Sequence, residues 1–151
     1  MAFDTPNGTR GARQPGRTRI ERWANQRMLG HIRRTGSLGR GQVLVLVTIG
    51  RKTGVERMTP VGWFPGGGNT KLIVASAAGA ARNPSWYFNL AENPDAARIE
   101  FAGQRVDVSA AQLHGEERDE AWRMITTQSP GYAKYETSTD RVIPVIRLTP
   151  R

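Results

Sequence analysis

Three short stretches of this 151-residue chain gather residue types that can do chemistry. The first is Gly50-Arg51-Lys52-Thr53-Gly54, which sets two cations and a hydroxyl between glycines whose backbone allows a ligand to approach closely. Such a group suits a phosphate or a carboxylate, although the same spacing is also that of a solvated hairpin with charges at its tip. The second is Ser76-Ala77-Ala78-Gly79-Ala80, which leads through Arg82 to Asn83-Pro84. Small side chains there let a planar ligand lie against backbone amides, and a helix beginning at Pro84 would favour negative charge. An ordinary connection reads the same way. The third is Pro130-Gly131-Tyr132-Ala133-Lys134-Tyr135, whose two phenols could enter one pocket as proton donors or cover the fold with wet hydroxyls.

What the chain lacks narrows the chemistry further. It has no cysteine, which removes disulfides, iron–sulfur clusters and thiolate catalysis, and His31 and His114 fall in separate segments. No serine sits in a Gly-x-Ser-x-Gly elbow, and no Gly-x-Gly-x-x-Gly fingerprint is present, so neither a hydrolase triad nor a Rossmann site has support. The 50–54 stretch lies between two predicted strands, not before a helix, and is therefore no Walker loop. Hydroxyls, amides, cations or a borrowed cofactor must carry the reaction.

These residues need elements to position them. From 19 to 34, Ile20, Trp23, Ala24, Arg27, Met28 and Ile32 recur at helical spacing, ended by glycines from 36 to 41. An amphipathic basic helix is expected over 19–35. The period then changes to two, and residues 43–49 form an almost wholly apolar, β-branched run of the kind buried on both faces. A turn at 50–54, a return strand at 57–64 that contains Pro60, a turn at Gly66-Gly67-Gly68-Asn69 and a strand at 71–76 complete a meander. Asn83 is expected to cap a short helix with Pro84 at its first position, carrying Trp86, Tyr87, Phe88 and Leu90 mostly into the core and Asn89 as the polar exception. A hairpin at 97–101 and 104–110, a helix at 115–128 with acidic residues opposing its dipole, and a strand at 142–148 finish the chain. Connections in the first half are too short for crossovers, so the fold class is α+β: a small antiparallel barrel of about six strands.

The length allows one domain with a real core. Its charge is lopsided: of the net +9, residues 1–41 contribute +7, with nine arginines against Asp4 and Glu21. Residues 1–18 are rich in Gly, Pro, Thr and Arg and are expected to form a flexible basic arm ahead of a single domain at 19–151, its barrel spanning 43–151. A basic arm implies a polyanionic neighbour: nucleic acid, an anionic membrane surface or a phosphorylated ligand. The longest apolar run, residues 43–47, is too short to span a bilayer, and no secretory signal opens the chain, so a cytoplasmic location is the default expectation.

Taken in order, the segments resemble the deazaflavin-dependent nitroreductase family of coenzyme F420-binding split-barrel proteins. The resemblance covers about residues 43–151. It rests on the apolar strand ending in Gly50-Arg51-Lys52-Thr53-Gly54, on Ala75-Ser76 with Gly79, and on Asn83-Pro84-Ser85-Trp86-Tyr87-Phe88-Asn89-Leu90 with Asn93-Pro94. Pro130-Gly131-Tyr132 with Tyr135, Asp140-Arg141 and Ile143-Pro144 complete it. The resemblance implies a split β-barrel that binds F420 without a covalent link and takes hydride from its reduced form, for a quinone or a nitroaromatic-type acceptor. It places Arg51, Lys52 and Thr53 at the phosphate of the tail, and Ser76, Ala77, Ala78, Gly79 and the helix of Trp86 at the deazaflavin ring. Pro60, Arg82, Asn83, Pro84, Tyr87 and Asn89 complete the implied cofactor contacts. Tyr132 is the implied proton donor to the acceptor, Tyr135 shapes the pocket and Ser76 assists orientation. Two positions depart from some close relatives in the family it resembles, which carry lysine at the place of Ala77 and an aromatic residue at that of Ser129. The basic helix fits a peripheral visit to the inner face of an anionic membrane to meet a lipid quinone. Two other readings stand beside this one: a non-catalytic split barrel gripping nucleic acid or anionic lipid, and an FMN-dependent reductase. Against the first, the aromatics lie on a helix and a loop, not between basic residues along a strand.

Overall fold

The computed structural model describes residues 3–12, 19–38 and 41–151, and the side chains of these except at residues 19–25 and 38. Helix α1 (Arg19–Thr35) leads into a two-residue strand β1 (Ser37–Leu38) and then β2 (Gly41–Ile49), β3 (Glu56–Pro65) and β4 (Lys71–Val74). A single 3-10 turn (Ala77–Gly79) and helix α2 (Ser85–Glu92) precede the hairpin of β5 (Ala97–Phe101) and β6 (Gln104–Gln112). Helices α3 (Gly115–Gln128) and α4 (Gly131–Ser138) and strand β7 (Val145–Pro150) end the chain. Every pairing between these strands is antiparallel, and the order β2-β3-β4-β7-β6-β5 closes on itself through a β5–β2 pairing, so six strands form a barrel without open edges.

The apolar run of β2 is explained by what covers each face. Leu44 and Leu46 point into the barrel with Ile73, Ile99, Val108, Ile146 and Leu148, while Val45 and Val47 point outward under Leu29 and Ile32 of α1. The same alternation on β4 sends Ile73 inward and Leu72 and Val74 outward, where Trp122 and Ile125 of α3 cover them. A strand with both faces buried reads as a continuous hydrophobic stretch.

Several boundaries differ from those read in the sequence. Residues 3–12 are not a free arm. Phe3 packs edge-on against Tyr87 at 5.5 Å and Ala12 bridges to Ala80, so this stretch is strapped to the barrel. Composition missed it because backbone groups and one aromatic, not an apolar run, make the attachment. Residues 1–2 and 13–18 of the expected arm, and the side chains of Ile20, Trp23 and Ala24 in the expected amphipathic face, lie outside the described residues. The last strand starts at Val145 instead of 142, where the chain has passed Pro144, which has no N–H to give a ladder. The segment around Tyr132 is a full helix, hidden in the sequence by its glycine, serine and threonine content.

Candidate active site

Two cavities meet along one side of the barrel. The larger, about 1000 Å³, is bounded by Gln26, Leu29 and Arg33 of α1, the 50–53 tip, Glu56 to Thr59 of β3, and Ser85, Trp86 and Asn89 of α2. The smaller, about 430 Å³, is bounded by Met58 to Gly62, Val74, Ser76 to Ala78, Pro84 to Trp86, and the two tyrosines of α4. Met58, Thr59, Ser85 and Trp86 line both, so they form one continuous cleft with two unlike ends.

The larger end is cationic. Among the described residues Arg33, Arg51, Lys52 and Arg57 face it against the single carboxylate of Glu56. The tip is held in shape from behind: Asn89 accepts a hydrogen bond from the Arg51 backbone N–H at 3.1 Å and donates to Thr48 Oγ1 at 3.0 Å. Gly50 and Gly54 close the turn, and a Cβ on Gly50 would come within 2.8 Å of Thr53 Oγ1. The Arg51 guanidinium lies 4.5 Å from the Phe88 ring centre, a stacking contact that leaves its N–H edge available to an anion. Arg33 is shared, for it also donates to Glu100 at 2.8 Å. Burial works against the Glu100 charge, but hydrogen bonds from Arg98 and Arg33 outweigh it and hold its pKa below the usual carboxylate value. That ion pair also fixes α1, the outer wall of the cavity, to β5.

The smaller end is built of backbone, small side chains and phenols. After Ser76 the chain makes three successive left-handed residues, Ala77 (φ 45°), Ala78 (φ 54°) and Gly79 (φ 80°). Left-handed backbone costs a residue with a Cβ on the order of 1 kcal/mol, so two alanines hold it only because the surroundings enforce it. Arg141 is one enforcer. It is 4% exposed and donates to Ala75 O (2.8 Å), Ser76 O (2.8 Å), Ala80 O (3.1 and 3.2 Å) and Asn83 Oδ1 (2.7 Å), tying both flanks of the turn to one guanidinium.

Tyr132 and Tyr135 stand on α4 with ring centres 5.7 Å apart and planes perpendicular. Their rings rest on the cluster under α3, with Phe64 5.8 Å from Tyr132, while both residues also line the smaller cavity. Burial, reinforced by neighbouring Tyr135, raises the Tyr132 pKa above the ordinary phenol value. Its hydroxyl therefore keeps its proton at neutral pH.

Of the residues picked out in the sequence, Arg51, Lys52, Thr53, Trp86 and Asn89 line the larger cavity, and Pro60, Ser76, Ala77, Ala78, Pro84, Trp86, Tyr132 and Tyr135 the smaller. Four do not line either. Gly79 is buried against α4, where a Cβ would meet Ser138 Cβ at 2.9 Å. Arg82 is exposed and borders neither cavity. Asn83 does not cap α2, whose N-cap is Pro84. Its amide instead donates to Thr5 O at 3.0 Å and accepts from Arg141. Tyr87 is 1% exposed, its hydroxyl donating to Gln112 Oε1 at 2.7 Å and accepting from the Thr5 N–H. A helix has two sides, and α2 turns Trp86 and Asn89 to the cleft and Tyr87 away. Sequence reasoning missed Arg33, Arg57, Gln26 and Leu29 as wall residues. Helical spacing of Gln26, Leu29 and Arg33 was visible, but nothing local said which strand that face would meet.

Comparison with known proteins places this geometry. The profile of the F420H(2)-dependent quinone reductase family matches residues 17–150. An F420H(2)-dependent quinone reductase of Mycobacterium tuberculosis is 37% identical over 111 residues, covering 72% of this chain and 73% of that protein. The solved structure of an F420-H2 dependent reductase superposes with a TM-score of 0.63 at 35% identity, covering 71% of this chain and 93% of the other. A second structure, described as a domain-swapped dimer, gives 0.65 at 32% identity over 85% of this chain and 96% of its own.

Proposed function

The chain belongs to the F420H(2)-dependent quinone reductase family, a group of split-barrel oxidoreductases that use coenzyme F420, and from this we propose how its cleft divides the work. Reduced F420 supplies the hydride. Arg51, Lys52 and Thr53 hold the phosphate of the coenzyme, because charge-assisted bonds from a backbone-fixed tip suit a tetrahedral anion. Arg33 and Arg57 on the same cavity receive carboxylates of the acidic tail. Pro60, Ser76, Ala77 and Ala78 form the wall for the ring, with Trp86 at the junction between the two ends. This division fits the donor set: cations cluster where the polyanion would lie, and uncharged backbone and phenols where a flat neutral ring and acceptor would lie.

The acceptor is a quinone. Arrival of hydride places negative charge on a quinone oxygen, and the Tyr132 hydroxyl donates its hydrogen bond to that oxygen. One proton then completes the quinol. Tyr135 shapes the pocket and Ser76 orients the bound partners. A nitroaromatic compound develops charge on oxygen in the same way and is the second acceptor class to assay. The observation that carries this reading is the shared wall of Met58, Thr59, Ser85 and Trp86, which joins the cationic end to the phenolic end.

Fluorescence titration of the apoprotein tests it, with F420 expected to bind at least about tenfold more tightly than FMN, which lacks the long acidic tail. Stopped-flow oxidation of reduced F420 by menadione then tests the acceptor. Equal or tighter FMN binding would sink the proposal.

The excess charge before residue 42 supports a cytoplasmic protein that meets its quinone at an anionic membrane surface. Leu29 and Ile32 spend their apolar surface on β2, so neither is offered to lipid. No helix among the described residues is long and apolar enough to cross a membrane. Flotation with anionic and with neutral vesicles measures the contact, and equal recovery in both removes it.

A further inference from the structure

Residues 3–12 precede the stretch that matches the family, yet they lie along the back of the loop whose front forms the wall of the smaller cavity. Gly8 N donates to Ala81 O at 2.7 Å and Ala12 N to Gly79 O at 3.0 Å. Asn7 Oδ1 accepts from Asn83 N at 2.8 Å. At the other edge, Asp140 accepts from the Thr9 N–H at 2.8 Å, the Arg10 N–H at 3.1 Å and the Thr9 hydroxyl. Two glycines three residues apart permit this flush seating. A Cβ on Gly11 would intrude on the backbone of Ala80 and Ala81 and come within 2.6 Å of Gly79 O. One on Gly8 would strike Asp140 and approach Arg141 Cβ at 2.9 Å. The obstacles at Gly11 are all backbone and cannot swing aside.

We infer that residues 3–12 are a strap that sets the left-handed turn at 77–79 for the coenzyme ring, with Gly8 and Gly11 as its positioning residues. The turn is held from two directions. Arg141 grips the carbonyls of Ala75, Ser76 and Ala80, and the strap binds Gly79, Ala81 and Asn83. Neither holder touches the cleft, so the strap acts through the loop. A left-handed pair of alanines relaxes toward ordinary backbone when its restraints go, and the cavity wall relaxes with it. The inference rests on the proposed use of Ser76, Ala77 and Ala78 as the wall for the ring.

Three full-length variants test it: Gly8→Ala and Gly11→Ala, which wedge the strap away, and Asp140→Asn, which loosens it without a clash. Gly30→Ala on α1 is the control, since a Cβ there meets nothing within 4 Å. The first readout is hydrogen exchange in the apoprotein at Gly79 and Ala80, whose amides are bonded to Ser76 O and Ala77 O. The second is F420 affinity with the split of KM against kcat, measured well below the melting temperature. Gly11→Ala is expected to speed exchange at these two amides by about tenfold or more and to raise KM for reduced F420 by about fivefold or more, with kcat little changed. Gly8→Ala and Asp140→Asn should follow in the same direction, and Gly30→Ala should match the parent. Parental exchange in both glycine variants overturns the inference. So does faster exchange with parental F420 affinity, which would make the strap a matter of stability alone. Failure of the parent chain to bind F420 would instead count against the proposed function, and the exchange result would still decide whether the strap holds the turn.

Discussion

Gly62 on β3 lies under the hydroxyl of Tyr132 on α4: a Cβ built at Gly62 would stand 3.1 Å from the phenolic oxygen. The only side chain small enough to leave that oxygen where it is belongs to glycine. Gly62→Ala should therefore lower turnover slightly, because the phenol must yield by a few tenths of an ångström. Gly62→Val should lower kcat/KM for the quinone by about tenfold or more while F420 binding stays near parental. Steady-state kinetics with menadione beside an F420 titration separates the two effects, and parental turnover in Gly62→Val would show that the hydroxyl's depth is immaterial.

Tyr132→Phe keeps the ring that packs on Phe64 and Tyr135 and removes only the donor. A fall of about tenfold to a thousandfold in turnover is expected, with F420 affinity little changed. The pH dependence follows from the direction of the shift. Burial raises this phenol above an already high value, so it stays protonated as pH rises through neutrality and is lost only above about pH 10. No alkaline limb due to Tyr132 should appear between pH 6 and 9, roughly the range in which ordinary buffers can be used. A limb there that vanishes in Tyr132→Phe would contradict the assignment.

Arg51→Ala and Lys52→Ala should each weaken F420 binding by about 1 to 3 kcal/mol, the range for a lost charge-assisted hydrogen bond. The barrel should melt as before, because the tip is exposed and its backbone is anchored through Asn89. Arg51→Ala is the more severe of the two, since it also removes the guanidinium stacked on Phe88. Added salt should imitate both losses in the parent. Normal binding by both mutants at low ionic strength would move the phosphate toward Arg33 and Arg57.

Asp140 gives the strap an acid dependence of definite sign. The Thr9 hydroxyl, then the Arg10 and Thr9 amides, lower its pKa from 3.8 to about 2 in the folded protein. A depressed folded pKa means that its contribution is complete above the unfolded value and is lost as pH falls from about 3.8 through about 2. Amide exchange at Thr9 and Arg10, corrected for the intrinsic rate, should rise over that window in the parent. In Asp140→Asn it should be fast already at pH 5, and identical profiles in the two proteins would detach the carboxylate from the strap.

Much of this arrangement follows from local signals. The alternation and β-branching of residues 43–49, the glycine-bounded tip at 50–54 and the Ala102-Gly103 turn, both of whose residues take positive φ, are decided within a few residues of chain. The helix at 115–128 is likewise legible in its acidic first turn. Local backbone energetics and side-chain periodicity act over such distances, which is why these elements read correctly. The family wording of the tip, of the Trp86 helix and of Tyr132 with Tyr135 pointed to F420 for a like reason: a family is legible in which residue types stand at which spacing.

Tertiary structure alone decided which of those residues face one another. Whether Asn83 caps a helix or receives Arg141 depends on a loop 58 residues away, and Tyr87 looks away from the cleft because Thr5 and Gln112 meet its hydroxyl on the other side. Arg33 became a neighbour of Arg51 and Lys52 only when α1 settled its Leu29 and Ile32 on β2, whereas Arg57 reaches the tip through the β2–β3 register that sets it opposite Thr48. The strap was invisible for the same cause. Its attachment is made by backbone amides, Asp140, the Asn7 amide oxygen, the Phe3 ring on Tyr87 and the absence of two methyl groups, and a sequence records neither where a backbone will dock nor what space a glycine leaves empty.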